Sequence, residues 1–404
     1  MTIIKHYTQF GGLHYETGPI FNVLAHLGVK APHTGQSLSE ALLMGVSGGA
    51  TFGYFLFDYK GYAPMLSLLS RNTFDPVETL LSRLAIPREV RQTTDASKAL
   101  ANLRQVLDSG QPAIALVDQC TLYNAGAANT DWWAMMPVVV YGLDSEGVHI
   151  ADRSHMPNIV SQDRFIKAWG RIKKDKHRLT TLAAPDLTKL RDAVQKGVGQ
   201  CISLYTEKPP KGAKTNFGFE AYRHWAAMLI NTRNPQGWAR FFPAGSKHWA
   251  AMTGSGMAPG LIGWIYTWGL GGGMERGVFA QFLDEAAALL KRPKLKVAAD
   301  GFRASQNAWL ELGQIAMPEN VPMCHEAREL MRKRHSLFVE HGAQSATERD
   351  RVNARLAELR ARAASDFPLS EGQLTVIRAA MSEQVMRIHN LEFDAIKTLQ
   401  GALG

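Results

Sequence analysis

His14, Tyr15 and Glu16 place an imidazole, a phenol and a carboxylate in consecutive positions just ahead of an apolar run with helical spacing. Together they offer a general base, a hydrogen-bond donor for a developing oxyanion, and a carboxylate that could orient the base. The same residues also read as a helix start, with His14 capping or packing against the first turn and Glu16 favouring the N-terminal dipole. His-x-Glu occurs in zinc deaminases, but the Pro-Cys-x-x-Cys that completes their site is absent here. Cys120, Cys201 and Cys324 fall in no CxxC or Cys/His spacing, so the sequence predicts no metal and no cofactor.

Two glycine-rich stretches could approach an anion. Gly45 to Gly53, with Ser47, Gly48 and Gly49 at its centre, could present backbone N–H groups, although it fits no phosphate-loop pattern and reads equally as a packed helix-to-strand turn. Gly269-Leu-Gly-Gly-Gly273 precedes a helix with Arg276 nearby, a second place where an anion could meet a helix N-terminus, or a flexible connection.

The elements that must position these residues change character along the chain. Before residue 186 the pattern is mixed: helices at Thr17 to Leu27, Ser39 to Met44, from Asp75 and at Ala96 to Leu107, and strands at Tyr54 to Tyr59 and Ala113 to Asp118. Met136 to Tyr141 and Val148 to Asp152, separated by a Gly-Leu-Asp-Ser-Glu-Gly turn, read as a β-hairpin. From Asp186 onward the apolar spacing is helical, with helices at Phe219 to Ile230, Phe279 to Leu290, Lys296 to Leu312, Val321 to Val339, Ala346 to Ala364 and Ser370 to Leu399. The reading is an α+β domain over 1–185 and an all-α domain over 186–404. A length of 404 residues fits two domains, and 46% hydrophobic against 20% charged residues excludes a largely disordered chain.

The net charge of +9 raises the question of nucleic acid. Most of the excess lies in the helical part, where acids interleave with bases at helical spacing, as on a solvated helix face. No stacking pattern accompanies it, so neither nucleic acid nor a membrane is expected as partner. No apolar run reaches the length of a membrane helix, and the thiol usage fits a reducing, cytoplasmic setting.

Gly11-Gly-Leu-His-Tyr-Glu-Thr-Gly18, Leu38-Ser-Glu-Ala41 and Gly45-Val-Ser-Gly-Gly-Ala-Thr-Phe-Gly-Tyr-Phe55 occur in that order, followed by Pro137-Val-Val-Val-Tyr-Gly142 and Val148-His-Ile-Ala-Asp-Arg153. This series resembles the N-terminal domain of the butirosin biosynthesis protein H family, over roughly the first 185 residues, with a helical region following as in many relatives. The resemblance implies a papain-like, cysteine-peptidase-like α+β fold with an antiparallel sheet. It also implies acyl transfer of an amino-acyl group from a carrier-protein thioester to an aminoglycoside amine.

The family chemistry uses a Cys directly after a His at the first helix, and a His just before the Val-Val-Val-Tyr-Gly strand. Here Tyr15 follows His14 and Met136 stands at the second position, so the resemblance leaves Asp152 as the orienting carboxylate. A phenol and a thioether cannot replace a thiol and an imidazole at neutral pH. If chemistry persists, His14, Tyr15, Glu16 and Asp152 are the catalytic candidates. Trp132, Trp133 and Met136, with Ser47, Gly48 and Gly49, are the substrate-binding ones; the aromatic group suits an apolar ligand or a plugged core. Cys120, after a buried strand, is either a replacement nucleophile or an inert thiol. Two functions follow: acyl-transfer or amide-bond enzyme of secondary metabolism without a Cys nucleophile, or a non-catalytic pseudoenzyme holding a ligand or partner. The expected partners are a small molecule, an acyl carrier protein, and another copy of the chain through the helical region.

Overall fold

The structure, a computed structural model, describes residues 2–123, 134–255 and 258–403. In chain order the elements up to residue 182 are β1 (Thr2–Ile3), α1 (Gly18–His26), α2 (Glu40–Val46), β2 (Ala50–Phe57), β3 (Met65–Arg71), α3 (Pro76–Arg83), β4 (Arg88–Arg91), α4 (Ala96–Asp108), β5 (Ala113–Asp118), α5 (Gln119–Tyr123), β6 (Met135–Leu143), β7 (Val148–Ala151), β8 (Asn158–Val160), α6 (Gln162–Trp169) and β9 (Leu179–Leu182). Every α or β element after that is helical: α7 (Leu190–Thr206), α8 (Gly218–Ile230), α9 (Trp238–Phe241), α10 (Ser246–Thr253), α11 (Gly260–Tyr266), α12 (Arg276–Leu290), α13 (Lys294–Ala316), α14 (Pro322–His341), α15 (Ala346–Ser365) and α16 (Glu371–Leu403).

Two compact units form, and neither is a continuous stretch. One holds Met1–Leu43, Leu81–Leu190 and Leu337–Ala346; the other holds Met44–Leu80, Arg191–Ser336 and Thr347–Gly404.

The first unit is built on an antiparallel sheet in the order β4-β9-β5-β6-β7-β8, with β1 also pairing with β6. β5 and β6 are central because Ala113, Ala115, Val117, Val138 and Val140 are apolar enough to be buried. Val139 lies opposite Ala151 in the β6–β7 pair, with an irregularity between Val140 and Gly142. α1 and α4 pack against β5 and β6. α4 starts where the Asp95 side chain accepts the Lys98 N–H at 2.8 Å, and it buries Ala99, Leu100, Leu103, Val106 and Leu107 along one face. β4 and β8 escape sequence reading: Arg88-Glu-Val-Arg91 is a charged, mostly exposed edge, and β8 has three residues.

The second unit is helical apart from the two-stranded sheet of β2 and β3. The sequence reading sets a strand at Tyr54 to Tyr59 among those of the N-terminal half; it runs from Ala50 to Phe57 and is grouped with the helices. The reason is packing: Phe52 stacks on Tyr222 at 4.0 Å between ring centroids, and Tyr54 on Trp225 at 5.7 Å. Trp225 continues to Trp309 and Trp238, so the aromatic residues of this region form the core of the unit. Buried among them, Arg276 Nε donates to Glu392 Oε1 at 2.8 Å, and both side chains are fully enclosed. α12 is entered through a backbone turn with positive φ at Gly272, Gly273, Met274 and Glu275 in succession. Glycine takes that conformation freely, while Met274 and Glu275 hold it at a cost of about 1–2 kcal/mol each.

Among the described residues no helix is long and apolar enough to cross a membrane.

Candidate functional site

The loop leading into α1 is fixed before the helix begins. Glu40 accepts the Leu13 N–H at 3.0 Å and the His14 N–H at 2.9 Å, one on each carboxylate oxygen, and Asn22 Oδ1 accepts the Gly12 N–H at 2.9 Å. His14 is fully buried. Its Nδ1 accepts the N–H groups of Glu16 at 3.1 Å and Thr17 at 3.2 Å, while its carbonyl accepts the Gly18 N–H at 2.9 Å. These bonds close the turn that leads into α1, whose N-cap residue is Thr17, with an imidazole as acceptor where a hydroxyl or carboxylate is usual at helix starts. An Nδ1 that accepts main-chain protons carries none, so the neutral ring has its proton on Nε2. Replacing His14 by Ala is expected to lower stability by about 1 kcal/mol, and His14→Asn to restore most of it, in urea denaturation followed by circular dichroism.

Tyr15 and Glu16, both half-buried, follow in the turn before α1. The Tyr15 ring lies against His14, with 4.2 Å between centroids. Its phenol is within electrostatic reach of Arg153, which connects the start of α1 with the end of β7.

Asp152 directly follows β7 and is buried. The Val139–Ala151 pairing puts it beside the Met135 end of β6. Its oxygens are engaged: Tyr123 OH donates to Oδ2 at 2.5 Å, Asn158 Nδ2 to the same oxygen at 3.3 Å, and Ser154 N–H to Oδ1 at 2.9 Å. Burial, then the adjacent Asp152 charge, pushes the Tyr123 phenol well above its ordinary range, so it stays a donor. The Arg153 guanidinium lies over the Phe338 ring at 5.8 Å, and Phe338 meets Tyr123 edge-on at 5.8 Å. Burial pulls the Arg153 pKa down, against the opposing pull of Tyr123, Asp152 and Tyr15. Met136 is buried in β6 opposite Val117. Trp132 and Trp133 lie outside the described residues.

Of the remaining candidates, Ser47, Gly48 and Gly49 belong to the other compact unit and are described there. Ser47 Oγ donates to Met44 O at 2.7 Å, and the N–H groups of Gly48 and Gly49 go to Gly45 O and Met44 O. The donors that sequence reading directs at an anion are therefore engaged inside the loop. A Cβ on Gly48 would come within 2.6 Å of Asn72, and one on Gly49 within 2.6 Å of Phe279, at φ of 120° and 70°. Close packing explains both glycines. Arg276, the cation next to the second glycine stretch, is bound to Glu392.

The thiols are not activated. Burial raises Cys120, with Asp118 adding to it; burial raises Cys201 strongly, and raises Cys324 to about 11. Asp144 and Glu146 in the β6–β7 turn and His149 on β7 bring ligand-type atoms within 4.8 Å of one another. Asp144 is held within that turn by His149 Nε2 at 2.9 Å and by the Glu146 and Gly147 N–H groups.

Tyr123, Asn158, Arg153 and Phe338 are the members that sequence reading misses. Arg153 carries a visible signal, a cation next to the candidate Asp152; Phe338 carries none, being distant in the chain and inside a helical pattern.

With this geometry in view, two family models can be placed along the chain. Residues 14–153 match the family model described as butirosin biosynthesis protein H, N-terminal. The chain carries a butirosin biosynthesis protein H N-terminal domain. Residues 164–335 match a second model, a domain of unknown function designated DUF4872. No curated protein matches the chain. The butirosin-protein-H domain is papain-like, consistent with α1 lying against an antiparallel sheet, and membership implies an acyltransferase-like role in secondary metabolism.

Proposed function

We propose that this butirosin-protein-H domain uses its family's reaction centre to hold a small molecule of secondary metabolism, without thioester formation on a Cys. The observation that carries this reading is the Tyr123 phenol on Asp152 at 2.5 Å, which occupies the carboxylate that a catalytic imidazole would need. Four further features agree with it. Tyr15 stands where the family resemblance calls for a thiol, and Met136 where it calls for an imidazole. His14 Nδ1 already accepts two backbone protons, and each Cys has a raised pKa.

A second reading, acyl transfer without a thiol, draws on the cationic Arg153 near the Tyr15 phenol, since a guanidinium favours a phenolate. Incubation with an acetyl thioester of N-acetylcysteamine, followed by intact-mass and peptide mapping, separates the possibilities. The expected result is unmodified protein. An acetyl group on Tyr15 would establish the second reading, and one on Cys120, blocked by prior iodoacetamide, would overturn both.

A further inference from the structure

Arg153 presents an unresolved problem in hydrogen bonding. Its Nε is removed from solvent and has no hydrogen-bond acceptor among the described residues. A buried donor in that condition costs free energy, and proteins leave such groups chiefly where a ligand or water completes them. The guanidinium carbon also lies over the face of Phe338, at 5.8 Å, a cation–π contact that supplies no acceptor for Nε. The adjacent Asp152 does not supply the acceptor: its oxygens accept from Tyr123, Asn158 and Ser154, and Arg153 Nε bonds to neither.

The edge of a guanidinium is a planar fork that matches a carboxylate with two parallel hydrogen bonds. Charge also limits what can enter. The Asp152 charge already acts on the Arg153 guanidinium, so the site has little positive charge left to offset a second negative charge on a ligand. A monoanion is therefore favoured over a phosphate dianion, and an ammonium group is repelled.

We infer that Arg153 is the recognition point for a single carboxylate on the small molecule bound beside Tyr15, Tyr123 and Asp152. Phe338 lies under the guanidinium, and Tyr123, Asn158 and Ser154 engage the Asp152 carboxylate with hydrogen bonds. This inference deepens the proposed binding function and rests on it. It names the ligand as a carboxylic acid and assigns its specificity to a residue next to the family's carboxylate position.

Isothermal titration calorimetry at pH 7 and constant ionic strength tests it with three probes: benzoate, benzylammonium and inorganic phosphate. The expected result is binding of benzoate to the full chain, with no heat from benzylammonium or phosphate above the salt control. Arg153→Gln should weaken benzoate by about ten- to hundredfold, the range for losing a charge-assisted pair. Arg153→Lys, which keeps the charge and loses the fork, should fall between the two and serves as the reading if Arg153→Gln does not fold. Absence of benzoate binding, equal affinity in folded Arg153→Gln and the wild type, or Arg153-dependent binding stronger for phosphate than for benzoate would each overturn the inference. The two proposals fail separately. An acetylated Cys120 with intact, Arg153-dependent benzoate binding removes the thiol-free reading alone. An unmodified protein whose benzoate binding ignores Arg153 removes this inference alone.

Discussion

Replacing Glu392 by Ala should lower the stability of the helical unit by about 3–5 kcal/mol, read as a fall in the urea midpoint of tryptophan fluorescence. The size follows from what stays behind. Glu392 Oε1 accepts from Arg276 Nε at 2.8 Å and Ser305 Oγ at 2.6 Å, and Oε2 accepts from Tyr205 OH at 2.5 Å and Tyr222 OH at 2.8 Å. Removing the carboxylate leaves two phenols and a hydroxyl without that acceptor, and a buried guanidinium without its counter-charge. Arg276 would retain the carbonyls of Ser70, Met274 and Thr51, which satisfy N–H groups but do not neutralise the charge. Burial alone would lower the Arg276 pKa and raise that of Glu392. The attraction between them outweighs both, so the pair stays ionised. The double variant Arg276→Met with Glu392→Leu should recover much of the loss, because a buried pair replaced by apolar groups of similar size is often neutral. A loss below about 1 kcal/mol in Glu392→Ala would contradict this account.

Acidification should destabilise the same unit through His248. This residue of α10 is 2% exposed, and burial pushes its pKa down to about 3, with the nearby Arg378 cation acting in the same direction and the Phe242 carbonyl opposing it. The folded state therefore keeps the ring neutral, while an unfolded chain binds a proton below about pH 6.5. The unfolded state holds more protons between those values, so stability is complete above pH 6.5 and declines as pH falls toward the folded pKa. The slope from this group approaches about 1.4 kcal/mol per pH unit. Urea midpoints measured between pH 7 and pH 4.5 for the wild type and for His248→Phe would isolate it, since the variant should lose the part of the slope that His248 supplies. Parallel curves for the two proteins would show that His248 is not the group responsible.

The parts of the fold legible in sequence are those whose burial leaves one unambiguous pattern. Ala113 to Asp118 is too short for a helix and apolar on both faces, so β5 has little alternative; the β6–β7 turn carries its own glycines. The long helices α13 to α16 announce themselves by period. Met65-Leu-Ser-Leu-Leu-Ser-Arg71 does not, because its apolar residues suit a helix as well as the strand β3 that the partner β2 makes of it. The site divides in the same way. His14, Tyr15 and Asp152 are visible as residues, but not the hydrogen bonds that redefine them. The Tyr123–Asp152 bond and the Arg153–Phe338 contact depend on tertiary folding.

The discontinuity of the two compact units has a consequence for biosynthesis. The unit containing the butirosin-protein-H sheet includes Leu337–Ala346, so a nascent chain emerging from the ribosome cannot complete it until that segment has been made. The other unit needs Met44–Leu80, near the start of the sequence, and also waits for α16, far downstream of it. Neither unit can therefore fold in full from a single contiguous segment, and a gene truncated at residue 185 would encode the whole sheet yet lack a segment of the unit that contains it.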